Sequence, residues 1–259
     1  MESLLLQTFD DFEIFITDNC STDRTIKICE EFAEKDQRIK IIHHQKNIGA
    51  KRNFYSSLEV SQNKFFVWTA VDDIMEPTFL EKNIEQLKLK PDLVGSISKI
   101  EYYSLDNKNK IDFIQLDSMI GTYGEKIRAF LKKPSANLIY SVFRKDELRK
   151  SLVTESLGTW DSALVLNVLR YGDINVLDEI LLKFFDEGIS STNIFNRISQ
   201  PDSDMGKMTS PNTFFMKWCI THLGMKIILR NIDVFTRLNF LTFLKIVKDF
   251  VKNKINSKF

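Results

Sequence analysis

The sequence predicts an α/β fold, in which a mostly parallel Rossmann-like sheet is flanked by helices and followed by a helical C-terminal extension. Between residues 12 and 90, short apolar runs alternate with segments of helical periodicity, the order expected of parallel βαβ units. The run FFVW at residues 65–68 is continuously apolar, which is typical of a strand buried on both faces. Two acids, Asp72 and Asp73, follow it at the strand end where open α/β sheets bind ligands.

The composition is that of a soluble globular protein. The chain has 259 residues, 43% hydrophobic and 27% charged, with three cysteines and a net charge of +1. The three cysteines are widely spaced, which argues against a disulfide framework and against a structural zinc site. They favour a reducing, cytoplasmic setting. No apolar run is long enough to span a bilayer. The charge pattern argues against a nucleic-acid-binding domain.

The first half of the chain contains two strand–helix units before the acidic pair. A strand at residues 12–17 (FEIFIT) ends at Asp18, and the polar turn DNCSTD after it is suited to capping a helix. A second strand at residues 39–42 leads to NIGAKRN, in which Asn47 opens a turn before a helix from about residue 50 to residue 60. His43 and His44 follow that strand, and we expect them to face solvent without a chemical role.

Each candidate acid in this half has two interpretations. Asp18 ends a strand at the same sheet edge as Asp72, where it could accept hydrogen bonds from a ribose or a base. Alone, it would be a helix-capping acid. Asp72 and Asp73 could hold a hard divalent cation that in turn binds phosphate oxygens, or they could punctuate a turn and cap the next helix.

The second half is predicted to return to the sheet. Strands are expected at residues 92–103, with alternating character, and at residues 138–144, with a short helix at residues 123–133 between them. A helix beginning near Trp160 carries an apolar face, and residues 174–185 follow as extended chain.

The C-terminal segment is basic and aromatic-rich. From residue 207 onward there are ten Lys/Arg and two Asp, a net charge of +8, so the rest of the chain carries −7. A polar stretch at residues 193–213 is predicted to be a linker or a lid. Beyond it, residues 214–255 have a helical pattern, which is typical either of packing on the main domain or of contact with a membrane surface.

Three motifs in register resemble family 2 glycosyltransferases of the GT-A fold. These are FEIFITDNCSTDRT, NIGAKRN and FFVWTAVDDIMEP, and the resemblance extends over about residues 3–190. It implies that Asp18, with the turn containing Asn47, contacts the nucleotide of a sugar donor. It also implies that Asp72, supported by Asp73, binds Mg²⁺ or Mn²⁺ against the donor diphosphate.

The segment GTWDSALVL resembles the place where the family carries its catalytic base. Asp161 is therefore the candidate base, at a helix start where the helix dipole favours a carboxylate. The alternative is that this acid only caps the helix, while Trp160 packs in the core.

Three features depart from the family pattern. Ala70 replaces the first acid of its DxDD element, and no His follows the last strand, so that Asp186 or Glu187 is a substitute candidate as a metal ligand. The family's first strand, of the type VSVIIPTYN, lies between the strands matching residues 12–17 and 64–70 and has no counterpart here. A truncated reading frame is our hypothesis; direct pairing of those two strands and a degenerate family member are the alternatives.

The resemblance implies a glycosyltransferase that moves a sugar from a nucleotide-diphosphate donor to a hydroxyl of a glycan or lipid-linked acceptor, with inversion and with a divalent metal. The alternative is a non-catalytic relative that binds a nucleotide sugar or a protein partner. A nucleotidyltransferase is a weaker third choice, because the chain lacks a Gly-rich basic loop. We expect a catalytic domain at residues 1–195, a linker at 196–213 and a basic helical region at 214–259, peripheral to a membrane.

Overall fold

The computed structural model describes residues 1–104, 110–185, 213–238 and 240. In chain order, its elements up to the middle of the chain are α1 Glu2–Leu5, β1 Ile14–Asp18, α2 Thr25–Ala33, β2 Ile39–His43, α3 Ala50–Val60, β3 Phe65–Phe66, β4 Ile74–Met75, α4 Phe79–Leu89 and β5 Leu93–Tyr103. The elements that follow are β6 Lys110–Ile114, α5 Tyr123–Lys132, a 3₁₀ helix Ala136–Tyr140, β7 Val142–Arg144, α6 Lys145–Lys150, α7 Trp160–Val168, β8 Asp173–Phe185, α8 Thr213–Leu223 and α9 Met225–Arg230.

The strands form two sheets. β1 and β2 pair in parallel as a two-stranded sheet, in which Asp18 lies opposite His43. The larger sheet has the order β3-β7-β5-β8-β4, with β6 added beside β5. Because β1 and β3 belong to different sheets, the alternative that the strands at residues 12–17 and 64–70 pair directly is wrong.

The α/β class is confirmed, but the pairing is more mixed than the expected mostly parallel sheet. β5 and β8 run parallel over their whole length. β7 pairs antiparallel with both β3 and β5, β4 pairs antiparallel with β8, and β6 pairs antiparallel with β5. β4 and β7 are short strands that join the parallel pair of β5 and β8 in antiparallel orientation. They need no crossover helix, because only parallel neighbours require one.

Three predicted strands differ from the observed ones. The run at residues 65–68 is a strand only at Phe65–Phe66, and Phe65, Phe66 and Val67 are half-buried, because β3 is an edge strand with a single neighbour. β5 is buried on both faces over most of its length rather than alternating, because it lies inside the sheet. Residues 138–140 of the predicted strand at 138–144 belong to the 3₁₀ helix, and only the last three residues of the predicted strand form β7.

The core lies between the large sheet and the helices packed on it. α7 is buried on all sides over Ala163–Leu166, as expected of a helix inside a domain. Gly172 ends the turn from α7 into β8, where a Cβ would lie 2.5 Å from the carbonyl oxygen of Asp92. Glycine is required there by this close approach.

The C-terminal helices pack on the main domain through apolar side chains. Phe215, Trp218 and Cys219 of α8 are buried. Residues 232–238 are also helical, and Val234 and Phe235 of that segment are buried. Packing is thus confirmed for this part of the predicted helical region. The predicted linker, apart from its last residue at position 213, lies outside the described residues.

Candidate active site

Asp18 lies at the carboxyl end of β1 and is buried, with 4% of its surface exposed. Its carboxylate accepts hydrogen bonds from the backbone N–H of Ser21, 3.2 Å from each oxygen. His43 Nδ1 lies 2.7 Å from Oδ2. Burial alone would raise the pKa of Asp18, but the hydrogen bonds from Ser21 and His43 outweigh it and hold the pKa below its usual value. Asp18 does not cap α2, whose N-cap is Arg24.

The two turns that follow β1 and β2 are joined by side-chain amides. Asn19 donates from Nδ2 to Oδ1 of Asn47 at 3.0 Å and accepts at Oδ1 from the backbone N–H of Ile48 at 2.8 Å. Asn47 Oδ1 also accepts from the N–H of Gly49 at 2.9 Å. Gly49 has φ 85°, a conformation that favours glycine, and it begins α3. Asn47 is therefore brought beside the end of β1, with its side-chain oxygen engaged in holding the turn.

Asp72 and Asp73 occupy the turn between β3 and β4. The backbone N–H of Asp73 donates to the carbonyl of Ala70 at 3.4 Å. Burial, and then the negative charge of Asp72, raise the pKa of Asp73 to about 7, although a hydrogen bond from the backbone N–H of Phe185 opposes the change. Helix α4 begins later, with Thr78 as its N-cap, so the two acids do not cap it. Within the described residues, neither acid forms an ion pair.

Asp161 lies in the first turn of α7, at the predicted position. Its Oδ1 accepts a hydrogen bond from the backbone N–H of Ser162 at 2.6 Å. The positive end of the helix dipole stabilises the ionised carboxylate at such a position. The N-cap itself is Thr159, which makes no side-chain capping bond, so Asp161 is not the N-cap.

Three of the candidate acids influence the pKa of one hydroxyl group, that of Tyr140. Burial is the main cause that raises the pKa of Tyr140, and the charges of Asp73, Asp161 and Asp72 raise it further. Electrostatic effects of this kind weaken with distance and are screened by salt beyond roughly 10 Å. The acidic pair and Asp161, far apart in the sequence, therefore lie in one neighbourhood around Tyr140, which we call the acidic group.

Helix α3 connects the end of β1 with the acidic group. Asn53 donates from Nδ2 to the carbonyl of Thr17 in β1 at 3.0 Å. The next residue, Phe54, accepts at its carbonyl a hydrogen bond of 2.8 Å from Trp68 Nε1, and its ring contacts Trp160 with centroids 5.5 Å apart. Trp160 directly precedes Asp161, so one helix contacts β1, the segment before the acidic pair, and the residue next to the candidate base.

Sequence reasoning missed two residues. His43 was expected to have no role, but it hydrogen-bonds to Asp18. The available signal was the parallel pairing of β1 and β2, which places the last residues of the two strands opposite each other. Tyr140 was predicted to lie in a strand and carried no signal, because its 3₁₀ helix brings it to the acids only in the folded chain.

The carboxylate oxygens of the acidic pair are suitable ligands for a divalent cation. Two adjacent carboxylates are hard oxygen ligands. Burial and then the charge of Asp72 raise the pKa of Asp73, and a cation would offset the second of these causes. Among the described residues, no group of three His, Cys, Asp or Glu side chains is arranged to hold a metal. A cation would therefore complete its coordination with other oxygen donors. The substitute ligands suggested at residues 186 and 187 lie outside the described part of the chain.

The fold is an α/β domain of the GT-A type. The crystal structure of S. aureus TarS 1-349 in complex with UDP-GlcNAc shares this fold with a TM-score of 0.57 and 15% identity, over 85% of this chain and 68% of that chain. The chain belongs to glycosyl transferase family 2, since the model of that family matches residues 1–151, more than half of the sequence.

The similarity to curated relatives covers only part of the length of each relative. An uncharacterized glycosyltransferase of Haemophilus influenzae is 31% identical over 101 residues, 39% of this chain and 31% of that protein. The uncharacterized glycosyltransferase MJ1057 of Methanocaldococcus jannaschii is 29% identical over 190 residues, 71% of this chain and 63% of that protein. The chain spans about a quarter to a third of the length of the first curated relatives it matches.

Proposed function

We propose that this protein is a glycosyltransferase that moves a sugar from a nucleoside-diphosphate donor to a hydroxyl group of a glycan or lipid-linked acceptor. The observation that carries the proposal is the acidic group, in which Asp72, Asp73 and Asp161 all act on Tyr140. Membership of glycosyl transferase family 2 supports the class of reaction. The complex of TarS with UDP-GlcNAc supports a nucleotide sugar as the class of donor.

The donor is proposed to lie along the edge where β1 and β2 end and the acidic pair begins. The Asp18 and Asn47 region holds the nucleoside, and Asp72 with Asp73 holds Mg²⁺ or Mn²⁺. When bound, the cation supplies positive charge beside the diphosphate, where negative charge develops as the leaving group departs. Asp73 has to be ionised to bind a cation. Since its pKa is about 7, cation binding would require the loss of its proton near neutral pH.

Asp161 is proposed as the general base. Its carboxylate accepts the proton of the acceptor hydroxyl while that oxygen attacks the anomeric carbon. A new carbon–oxygen bond forms as the bond from the sugar to the diphosphate breaks, and the electron pair leaves with the diphosphate. A single displacement from the opposite face inverts the anomeric configuration.

The test is isothermal titration of UDP, GDP and TDP with and without Mn²⁺, followed by a screen of donor hydrolysis across common nucleotide sugars. Binding that depends on the cation, together with hydrolysis of one donor, is the expected result. Binding without dependence on the cation would contradict the role of the acidic pair, and absence of any binding would contradict the proposal itself.

A non-catalytic nucleotide-sugar-binding relative is the second candidate. It is favoured by Ala70 in place of an acid and by the lack of a three-ligand group within residues 1–104, 110–185 and 213–238. A donor that binds with Mn²⁺ but is neither hydrolysed nor transferred would support this candidate over the enzyme.

The division of the chain remains a proposal, with the catalytic domain at residues 1–195, a linker at 196–213 and a C-terminal region at 214–259. We propose that this region meets an anionic membrane surface. Met225 and Leu229 are exposed on one side of α9, and Lys226 and Arg230 are exposed beside them. In the described part of the region no helix has the length and apolar character needed to cross a bilayer.

Among the residues that the structure describes, neither Lys226 nor Arg230 forms an ion pair. The one acid in residues 213–238, Asp233, accepts hydrogen bonds of 3.0 and 2.7 Å from Arg128. The double variant Lys226→Gln with Arg230→Gln should bind phosphatidylglycerol-containing vesicles about 30-fold more weakly, since each cation contributes about 1 kcal/mol. Lys27→Gln, an exposed change on α2, is the control. Equal binding to vesicles of phosphatidylcholine alone would contradict the electrostatic contact.

A further inference from the structure

We propose that His43, and not Asp18, is the side chain that touches the nucleoside of the donor, and that Asp18 serves to position it. The inference deepens the proposed function and rests on it. It assigns a binding role to a residue for which sequence reasoning expected none, and it names the ligand chemistry as an N–H or O–H donor on the nucleoside.

The first observation is the difference in exposure between the two partners. The side chain of Asp18 is 2% exposed, whereas that of His43 is 51% exposed. Both belong to the carboxyl ends of neighbouring parallel strands, where they stand opposite each other in the register. A ligand that approaches this edge therefore meets the imidazole ring before it can reach the carboxylate.

The second observation is that the carboxylate of Asp18 is already engaged. Both of its oxygens lie 3.2 Å from the backbone N–H of Ser21, and Oδ2 also lies 2.7 Å from His43 Nδ1. Cys20, between Asp18 and Ser21, has φ 66°, and this turn carries the N–H of Ser21 back toward the carboxylate. Oδ2 thus already accepts two hydrogen bonds, and because the side chain of Asp18 is 2% exposed, a nucleoside has little access to the remaining lone pair of Oδ1.

The hydrogen bond also determines which imidazole nitrogen can accept. An ionised carboxylate only accepts, so the Nδ1–H of His43 donates to Oδ2 of Asp18. In the neutral ring, Nε2 then has a free lone pair. That nitrogen can accept from a ring N–H of the base or from a ribose hydroxyl, and both sources have the same donor chemistry.

The experiment compares variants that keep one half of the imidazole. His43→Asn keeps a donor at the position of Nδ1 but lacks a group at Nε2, whereas His43→Gln keeps a polar group at the reach of Nε2. UDP and GDP are titrated with Mn²⁺ into the wild-type chain, His43→Ala, His43→Asn and His43→Gln. His44→Ala is the matched control, because His44 contacts Ser56 at 3.2 Å instead.

We expect His43→Ala and His43→Asn each to weaken nucleotide binding about tenfold, which corresponds to one lost hydrogen bond. Binding of pyrophosphate with Mn²⁺ should stay unchanged, because the contact is to the nucleoside. Wild-type affinity in His43→Asn would overturn the proposal, since it would mean that holding Asp18 is the only role of His43. Thermal unfolding of each variant separates a lost contact from a lost fold.

Two analogues distinguish the sources of the donated proton. 3-Methyl-UDP lacks the ring N–H, and 2′-deoxy-UDP lacks a ribose hydroxyl. The analogue that omits the true donor should bind more weakly to the wild-type chain and should show no further loss in His43→Ala. Losses that simply add would overturn the contact. If neither UDP nor GDP binds the wild-type chain, the proposed function fails and this inference fails with it. If they bind the wild-type chain and His43→Asn equally well, this inference alone fails.

Discussion

The carboxylate at the end of β1 and the carboxylates around Tyr140 differ in how their charge is compensated. Asp18 is buried and has hydrogen-bond donors that lower its pKa. For Asp73, burial and then the charge of Asp72 raise the pKa to about 7, and a single backbone donor opposes them. A compensated carboxylate is fixed in place and suited to orienting a neighbour, whereas two uncompensated carboxylates favour the arrival of a cation. The two groups would therefore contribute to one donor site in different ways.

The largest expected effect is on turnover when the base is removed. Asp161→Asn should lower kcat about 10³-fold, because an amide cannot take the acceptor proton, while donor affinity stays within a fewfold. Steady-state kinetics and titration of the donor measure the two quantities. Glu155→Gln, an exposed acid on the preceding loop, is the control. Full turnover by Asp161→Asn would remove this residue from the mechanism.

The next effect tests the uncompensated pair. Asp72→Asn and Asp73→Asn should each weaken Mn²⁺-dependent binding of the nucleotide up to about 100-fold, a size typical of disturbed metal sites. Glu76→Gln is the control, since Glu76 pairs with Lys183 instead. Titration with and without Mn²⁺ gives the result, and equal losses in all three variants would point to a general effect on folding.

A third prediction concerns the aromatic contacts that hold Asp161 near the pair. Trp160→Ala should lower the free energy of unfolding by about 3 kcal/mol, because half-buried contacts with Phe54 and Tyr55 are lost. It should also lower kcat. Urea denaturation and kinetics measure both. A variant that loses stability but keeps kcat would show that these contacts do not position the base.

The smallest effects are opposite pH dependences of stability in the metal-free protein. The pKa of Asp73 is raised from 3.8 to about 7, so its protonated form favours the fold, and stability is lost as the pH rises through about 7. The pKa of Asp18 is lowered from 3.8, so its contribution is present above that pH and is lost on acidification.

Asp73→Asn should remove the first slope, and Asp18→Asn should remove the second. Chemical denaturation across pH, with a chelator present, measures both. Slopes of the same sign for the two acids would mean that their environments do not differ as described.

Local sequence patterns were sufficient to predict features that depend on a single helix or turn. The helix predicted from about residue 50 to residue 60 is α3, and the helix start beside Asp161 was predicted at the correct residue. Turn chemistry and apolar periodicity act within a few residues, so they can be read directly. The strand after residue 64 was overestimated, because an edge position depends on which strand lies beside it.

The composition of the site was predictable only in part, for a similar reason. Acids at strand and helix ends could be picked out, but their partners come from other elements. His43 reaches Asp18 through strand register, and Tyr140 reaches the acids through a 3₁₀ helix between two segments of the sheet. The roles of the five predicted residues, Asp18, Asn47, Asp72, Asp73 and Asp161, stay predictions until the variants are measured.

Helix α3 has a consequence for how a donor could be accommodated. It is bonded to β1 through Asn53 and to the segment before the acidic pair through Phe54, two adjacent residues on the same rigid turn. A shift of β1 relative to the segment before the acidic pair would therefore have to move α3 as well or break one of these two hydrogen bonds. A donor that spans both places would be held against a single helix.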